Sequence, residues 1–210
     1  RPVSVTTPKG FTAAGVAAGL KQSGKLDLAL VVNNGPEAHA AGVFTSNRFQ
    51  AAPVRWSIDA VADGRLAAVV LNSGGANACT GEAGFADATQ MAEWAASSVG
   101  CDAGDVAVCS TGLIGVRLPL DKVLAGIELA AQDLSSEGGP SAAEAIMTTD
   151  TVAKEAEFHS PHHWSIGGMA KGAGMLAPAL ATMLVVVTTD ASVPPAQLRD
   201  ALRTATSFTF

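Results

Sequence analysis

The feature that most constrains this chain is a recurring alternation. Short apolar runs end in small hydroxyl and glycine residues, and helix-like segments separate them. Residues 66–71 are such a run, closing on Asn72-Ser73-Gly74-Gly75, and residues 106–108 are another, closing on Ser110-Thr111-Gly112. Continuous apolar runs this short, bounded by glycine, fit buried strands better than helices. Between them, residues 85–98 predict a helix with Met91, Trp94 and Ala95 on one face. Residues 119–134 predict the clearest helix, because Leu120, Val123, Leu124, Ile127 and Leu134 keep the helical apolar spacing and Pro119 suits the first turn.

The same reading covers the rest of the chain. Residues 27–33 and 41–45 are β-leaning runs split by the turn cluster Asn33-Asn34-Gly35-Pro36. Residues 135–140 read as a flexible link, and 142–147 as a short helix leading into Thr148-Thr149-Asp150. Residues 152–158 and 164–169 are strands flanking a histidine-rich turn, 183–188 a buried strand, and 195–206 a final amphipathic helix with Leu198 and Leu202 inward. Strands and helices that interleave in this way predict a layered α/β domain.

Composition narrows the function classes. A chain of 210 residues buries a substantial core in one domain or two small ones. Its 48% hydrophobic and 15% charged content, with no tyrosine, predicts a core of small aliphatic side chains. The net charge of −6 argues against a nucleic-acid partner, since phosphate binding needs a basic face. Cys79, Cys101 and Cys109 have no metal-ligand spacing and are expected to be buried, reduced thiols of a cytoplasmic protein. Residues 1–4 lead into polar, glycine-rich sequence rather than a long apolar leader segment. The uncharged stretch 172–189 is long enough to be tested as a membrane span, but Gly172, Gly174, Pro178 and its threonines argue against one.

The most chemically suggestive stretch is 169–184, where a small, Gly- and Pro-broken approach meets Thr182 at the start of an apolar run. If the Ala181–Thr182 bond is cut, the Thr182 hydroxyl sits beside its own free α-amine. An α-amine with a pKa of roughly 7.7–8.0 is a base suited to activating a hydroxyl nucleophile. The competing reading is a plain turn feeding a strand. Lys171, amid small residues in the same stretch, either holds a substrate carboxylate, polarises the nucleophile, or is a solvated surface lysine. Ser110-Thr111-Gly112 pairs a hydroxyl with a glycine amide, as an oxyanion site needs, although strand-to-loop turns use the same residues. His159-Ser160-Pro161-His162-His163 lacks the helical register or nearby cysteine of a metal site. No G-x-S-x-G surrounds Ser73 or Ser110, and Gly172-Ala173-Gly174 lacks the continuation of a phosphate-binding loop.

Five ordered blocks together resemble the ornithine acetyltransferase (glutamate N-acetyltransferase) family. They are Lys171-Gly172 through Met183-Leu184; Ala41-Gly42-Val43-Phe44-Thr45 with Ala51-Ala52-Pro53-Val54; Leu71 through Gly81; Cys109 through Gly115; and Ala145 through Asp150. One departure is Gly75, which stands where the family commonly has asparagine. The resemblance implies an α-β-β-α sandwich that cleaves itself at Ala181–Thr182, with residues 1–181 as the α segment and 182–210 as the start of a β segment whose remainder is absent from this sequence. It implies Thr182 as nucleophile, Thr111 and Gly112 as the oxyanion hole, and Thr148, Lys171 and Thr182 as substrate-binding residues. Thr149 is the neighbouring alternative to Thr148, and Asp150 reads as a cap.

The implied reaction moves acetyl from N²-acetylornithine to glutamate in arginine biosynthesis, through an acetyl-threonine and with no metal or organic cofactor. Some family members also take acetyl from acetyl-CoA. The implied assembly is an α2β2 heterotetramer of cleaved chains. Two rival classes stand beside it: a related N-terminal-nucleophile hydrolase of the β-aminopeptidase kind, and an uncleaved, inactive fragment. The sequence as it stands, short of a full β segment, is not expected to act alone.

Overall fold

The computed structural model describes residues 3–173 and 182–209. The first sheet has the order β1 (Phe11–Val16), β2 (Leu28–Asn33), β3 (Ala68–Gly75) and β4 (Val106–Leu113). β1, β2 and β3 pair antiparallel, whereas β3 and β4 run parallel. A parallel pair needs a crossover, and α2 (Gly81–Val99) supplies it. α2 and α3 (Leu120–Gln132) cover one face, where Met91, Ala92, Ala95, Val123, Ile127 and Ala130 bury against Leu28, Leu30, Val70 and Val106. The facing residues are mostly alanine and valine, so the core of small aliphatics read from composition is present.

β4 is an edge strand, and an uncovered edge invites pairing with other chains. α1 (Ala52–Ala60) closes it with side chains. Trp56 Nε1 donates to the Val106 carbonyl at 2.9 Å. The Ser57 hydroxyl donates to the Val108 carbonyl at 2.8 Å and accepts from the Val108 amide at 2.9 Å. Ser57→Ala should therefore destabilise the fold by about 1–3 kcal/mol, the usual cost of leaving buried polar groups unpaired. A denaturant midpoint lowered with an unchanged slope is the expected readout.

The second face of this sheet carries α4 (Gly139–Ala145) and a second sheet of β5 (Lys154–His159), β6 (Ser165–Lys171) and β7 (Leu184–Thr189), all antiparallel. α4 lies against β1 and β2 and touches β5 and β6. Ala142, Ala143, Ala145 and Ile146 share one core with Val31 and Leu71 of the first sheet and Met169 of the second. Along β6, buried Ser165, Gly167, Met169 and Lys171 alternate with half-buried residues, so one face of the second sheet looks inward. α5 (Pro195–Thr209) stands on the other face, where Leu198 and Ala201 share a hollow with Trp164 and Ile166. The layered α/β arrangement expected from the sequence is present.

Several expectations need correcting. Residues 41–45 form no strand; just before them, an isolated bridge joins His39 to Arg65. Asn72–Gly75 and Ser110–Leu113 are the paired ends of β3 and β4 rather than loops. The link at 135–140 already contains the start of α4. β7 is buried on one face only, since Val185 and Val187 are exposed. Trp94 is exposed on the helix surface, where its indole donates to Glu128 at 3.1 Å. The cysteines are not fully buried: Cys79 is exposed and Cys101 and Cys109 are half-buried, although burial still pushes the Cys109 thiol pKa up to about 12. Among the described residues, no helix is long and apolar enough to cross a membrane.

Candidate active site

The carboxyl ends of a parallel strand pair are where open α/β sheets take ligands. β3 and β4 end here in matched chemistry, with Asn72 opposite Ser110, Ser73 opposite Thr111 and Gly74 opposite Gly112. The polar side chains at these positions are buried and satisfied. Ser110 Oγ donates to Asn72 Oδ1 at 2.5 Å, Asn72 Nδ2 donates to the Gly75 carbonyl at 3.0 Å, and Ser73 Oγ donates to the Ala145 carbonyl at 2.5 Å. Asn72 and Ser73 thus tie the strand ends to each other and to α4.

Gly112 has φ +132°, and a Cβ there would lie 2.5 Å from the Gly74 carbonyl carbon and 2.6 Å from the Gly75 nitrogen. Only glycine lets the two strand ends approach this closely. The register slips beside this contact, with Gly75 meeting both Thr111 and Leu113. Gly75, the departure noted in the sequence, is part of this ladder. The following turn is pinned by the Ala76 amide to the Leu113 carbonyl and the Gly115 amide to the Ala78 carbonyl, both at 2.8 Å.

The second sheet delivers the cation. Lys171 is the last residue of β6, on its inward face and only 5% exposed, which removes the solvated-surface reading. Its Nζ donates to Thr111 Oγ1 at 3.3 Å. Burial pushes the Lys171 pKa down; Asp150 counters this and Lys154 adds to it. Lys21, lowered chiefly by its own burial, feels Lys171 as a further like charge. The carboxylates acting on Lys21 are Asp27 and Glu144, whereas Lys171 and Lys154 share the field of one buried carboxylate.

Asp150 is that carboxylate, with no side-chain exposure. Its Oδ1 pairs with Lys154 Nζ and accepts the Gly172 amide at 2.8 Å, while Oδ2 accepts the Thr148 amide at 3.2 Å. Burial works against the charge, but these hydrogen bonds and the Lys154 ammonium outweigh it and hold Asp150 well below the usual carboxylate range.

The structure therefore brings Lys171, Thr111 and Gly112 together and ties the backbone of exposed Thr148 to the strand end of Lys171. Thr182 is exposed, just ahead of β7, whose Leu184 pairs with Lys171. Among the described residues, no hydrogen bond joins Thr182 to this group, and Ala181 lies outside the described residues. Sequence reasoning missed Asn72 and Ser73, and reduced Asp150 to a cap. The signal for the first two was available: Asn-Ser-Gly and Ser-Thr-Gly each follow a short apolar run, as two parallel strand ends would.

A family model described as the ArgJ family matches residues 12–210. The arginine biosynthesis bifunctional protein ArgJ of Streptomyces coelicolor is 62% identical over 208 residues, covering 99% of this chain and 54% of that protein. Its counterpart in Mycobacterium tuberculosis is 58% identical, covering 100% of this chain and 54% of that protein. Among solved structures, the ornithine acetyltransferase of M. tuberculosis complexed with ornithine superposes with TM-score 0.83 at 56% identity, covering 87% of this chain and 96% of that one. The ArgJ protein of Bacillus halodurans superposes with TM-score 0.76 at 39% identity, covering 86% of this chain and 94% of that one. Fold and site thus define a layered α/β protein of the ornithine acetyltransferase type. The chain belongs to the ArgJ family. It spans about half the length of the curated relatives it matches, at 54%.

Proposed function

We propose that this chain supplies the α segment, residues 1–181, and the opening of the β segment, residues 182–210, of a self-cleaving glutamate N-acetyltransferase acting in arginine biosynthesis. The carrying observation is the buried Lys171 donating to Thr111 beside Gly112, in a chain of this family. In maturation, the Thr182 hydroxyl attacks the Ala181 carbonyl, the peptide shifts to an ester, and water releases two chains. The new α-amine of Thr182 then takes the proton of its own hydroxyl as that oxygen attacks the acetyl carbonyl of N²-acetylornithine.

The Thr111 hydroxyl and the Gly112 amide donate to the oxyanion that forms. Because Lys171 donates into Thr111 Oγ1, the hydroxyl hydrogen of Thr111 is left to point at the substrate. Collapse expels ornithine with a proton on its amine and leaves acetyl on Thr182. The glutamate amine then attacks this ester, and N-acetylglutamate leaves. Lys171 and Thr148 hold the carboxylate that the two amino acids share, and the paired chains assemble as α2β2. Where acetyl-CoA serves as donor, it loads the same threonine.

The test uses full-length, processed protein incubated with N²-acetylornithine alone. One acetyl group should appear on the first residue of the β chain, as read by peptide mass. Free acetate with no acetylated peptide would replace the transferase reading with hydrolysis.

A further inference from the structure

Asp150 gathers three separate segments on one carboxylate. Thr148 belongs to the turn after α4, Lys154 opens β5, and Gly172 follows Lys171 at the end of β6. We propose that Asp150 is a positioning residue that clasps the Thr148 turn to the Lys171 strand end and so sets the separation of the two substrate-holding residues. The proposal rests on the acetyltransferase reading of the site.

The geometry makes the clasp specific to a carboxylate. Both oxygens accept, and all three partners are donors. An asparagine keeps one acceptor, and its NH2 group must then face either the Thr148 amide or the Gly172 and Lys154 donors. One arm of the clasp opens whichever way the amide turns. The side chain is fully enclosed, so water offers no replacement. A displacement of about 1 Å at a substrate-holding residue can cost on the order of 10² in rate.

The charge has its own consequence, with a sign that can be worked out. Lys171 serves as a cation, so its function falls away as pH rises through its pKa. Burial lowers that pKa, Asp150 raises it, and Lys154 lowers it. Lys21, from the loop after β1, adds a like charge that neither variant below removes. Asp150→Asn should therefore move the basic limb of the profile to lower pH. Lys154→Met leaves Asp150 held by its two amides and should move that limb to higher pH.

The readout is the rate at which N²-acetylornithine alone acetylates Thr182 in full-length processed protein, followed across pH, with KM and melting temperature measured alongside. Asp150→Asn is expected to raise KM and lower the rate by on the order of 10². Opposite shifts of the basic limb in the two variants support the clasp. Unmoved limbs and an unchanged KM, with only a lower melting temperature, would reduce Asp150 to a brace of the fold. If Asp150→Asn does not accumulate as folded protein, the Lys154→Met limb decides alone. Lys171→Met separates the two levels of argument. If it acetylates at the wild-type rate, the substrate-site reading fails and takes the clasp with it. If it is silent while Asp150→Asn keeps the wild-type limb and KM, the clasp alone fails.

Discussion

Full-length protein carrying Thr182→Ala should run as one uncut polypeptide on a denaturing gel and show no acetyl transfer above background. On the proposed mechanism the two losses have one cause: the hydroxyl that attacks the Ala181 carbonyl in maturation is the hydroxyl that later carries acetyl. Alanine removes the only atom able to do either. The fold should survive, because Thr182 is exposed and lies ahead of β7, outside the ladder that pairs β7 with β6. A Thr182→Ala protein that still separates into two chains would show that another group cleaves the backbone and would remove Thr182 as the nucleophile.

Thr111→Ala should reduce turnover by on the order of 10²–10³, the usual loss for one oxyanion donor. It also leaves the Lys171 ammonium without its hydroxyl partner in a buried place. Part of the defect should therefore appear as weaker substrate binding, because a lysine freed from Thr111 takes up new orientations. Initial rates of processed protein with N²-acetylornithine and glutamate should still give parallel lines, as a covalent two-step transfer requires. Wild-type turnover in correctly processed Thr111→Ala would remove the hydroxyl from the mechanism. Converging lines would count against the acetyl-threonine.

Much of the layered fold is legible in the sequence because burial writes a strong periodic signal where one face is apolar. α3 is the clearest case: its inward positions Val123 and Ile127 are fully buried. β1 escaped notice because Phe11–Val16 reads as alanine, glycine and threonine, whose burial follows from close backbone packing rather than bulk. The run at 41–45 misled for the opposite reason: Val43 and Phe44 are bulky and apolar yet stay exposed in a loop. The site was legible as residue types and not as partners. Thr111, Gly112 and Lys171 stand out by chemistry and by resemblance, but the Lys171–Thr111 contact joins two sheets and has no local signature. Asp150 is harder still, because its meaning lies in donors drawn from three segments, and a short polar residue after a helix ordinarily announces a cap.

α4 acts as a spacer that fixes the width of the working gap. Thr111 and Gly112, the proposed oxyanion donors, ride on the first sheet and Lys171 on the second, so their separation is a distance between layers rather than a property of either. Its inward residues include Ala142, Ala143 and Ala145, the shortest side chains that still fill space, and they share the seam with Met169, two residues before Lys171 on the same face of β6. At 3.3 Å the lysine already stands near the outer limit of hydrogen bonding to Thr111, so the device has almost no slack. A larger side chain at Ala142, Ala143 or Ala145 should therefore disturb the site from a distance, by thickening this layer.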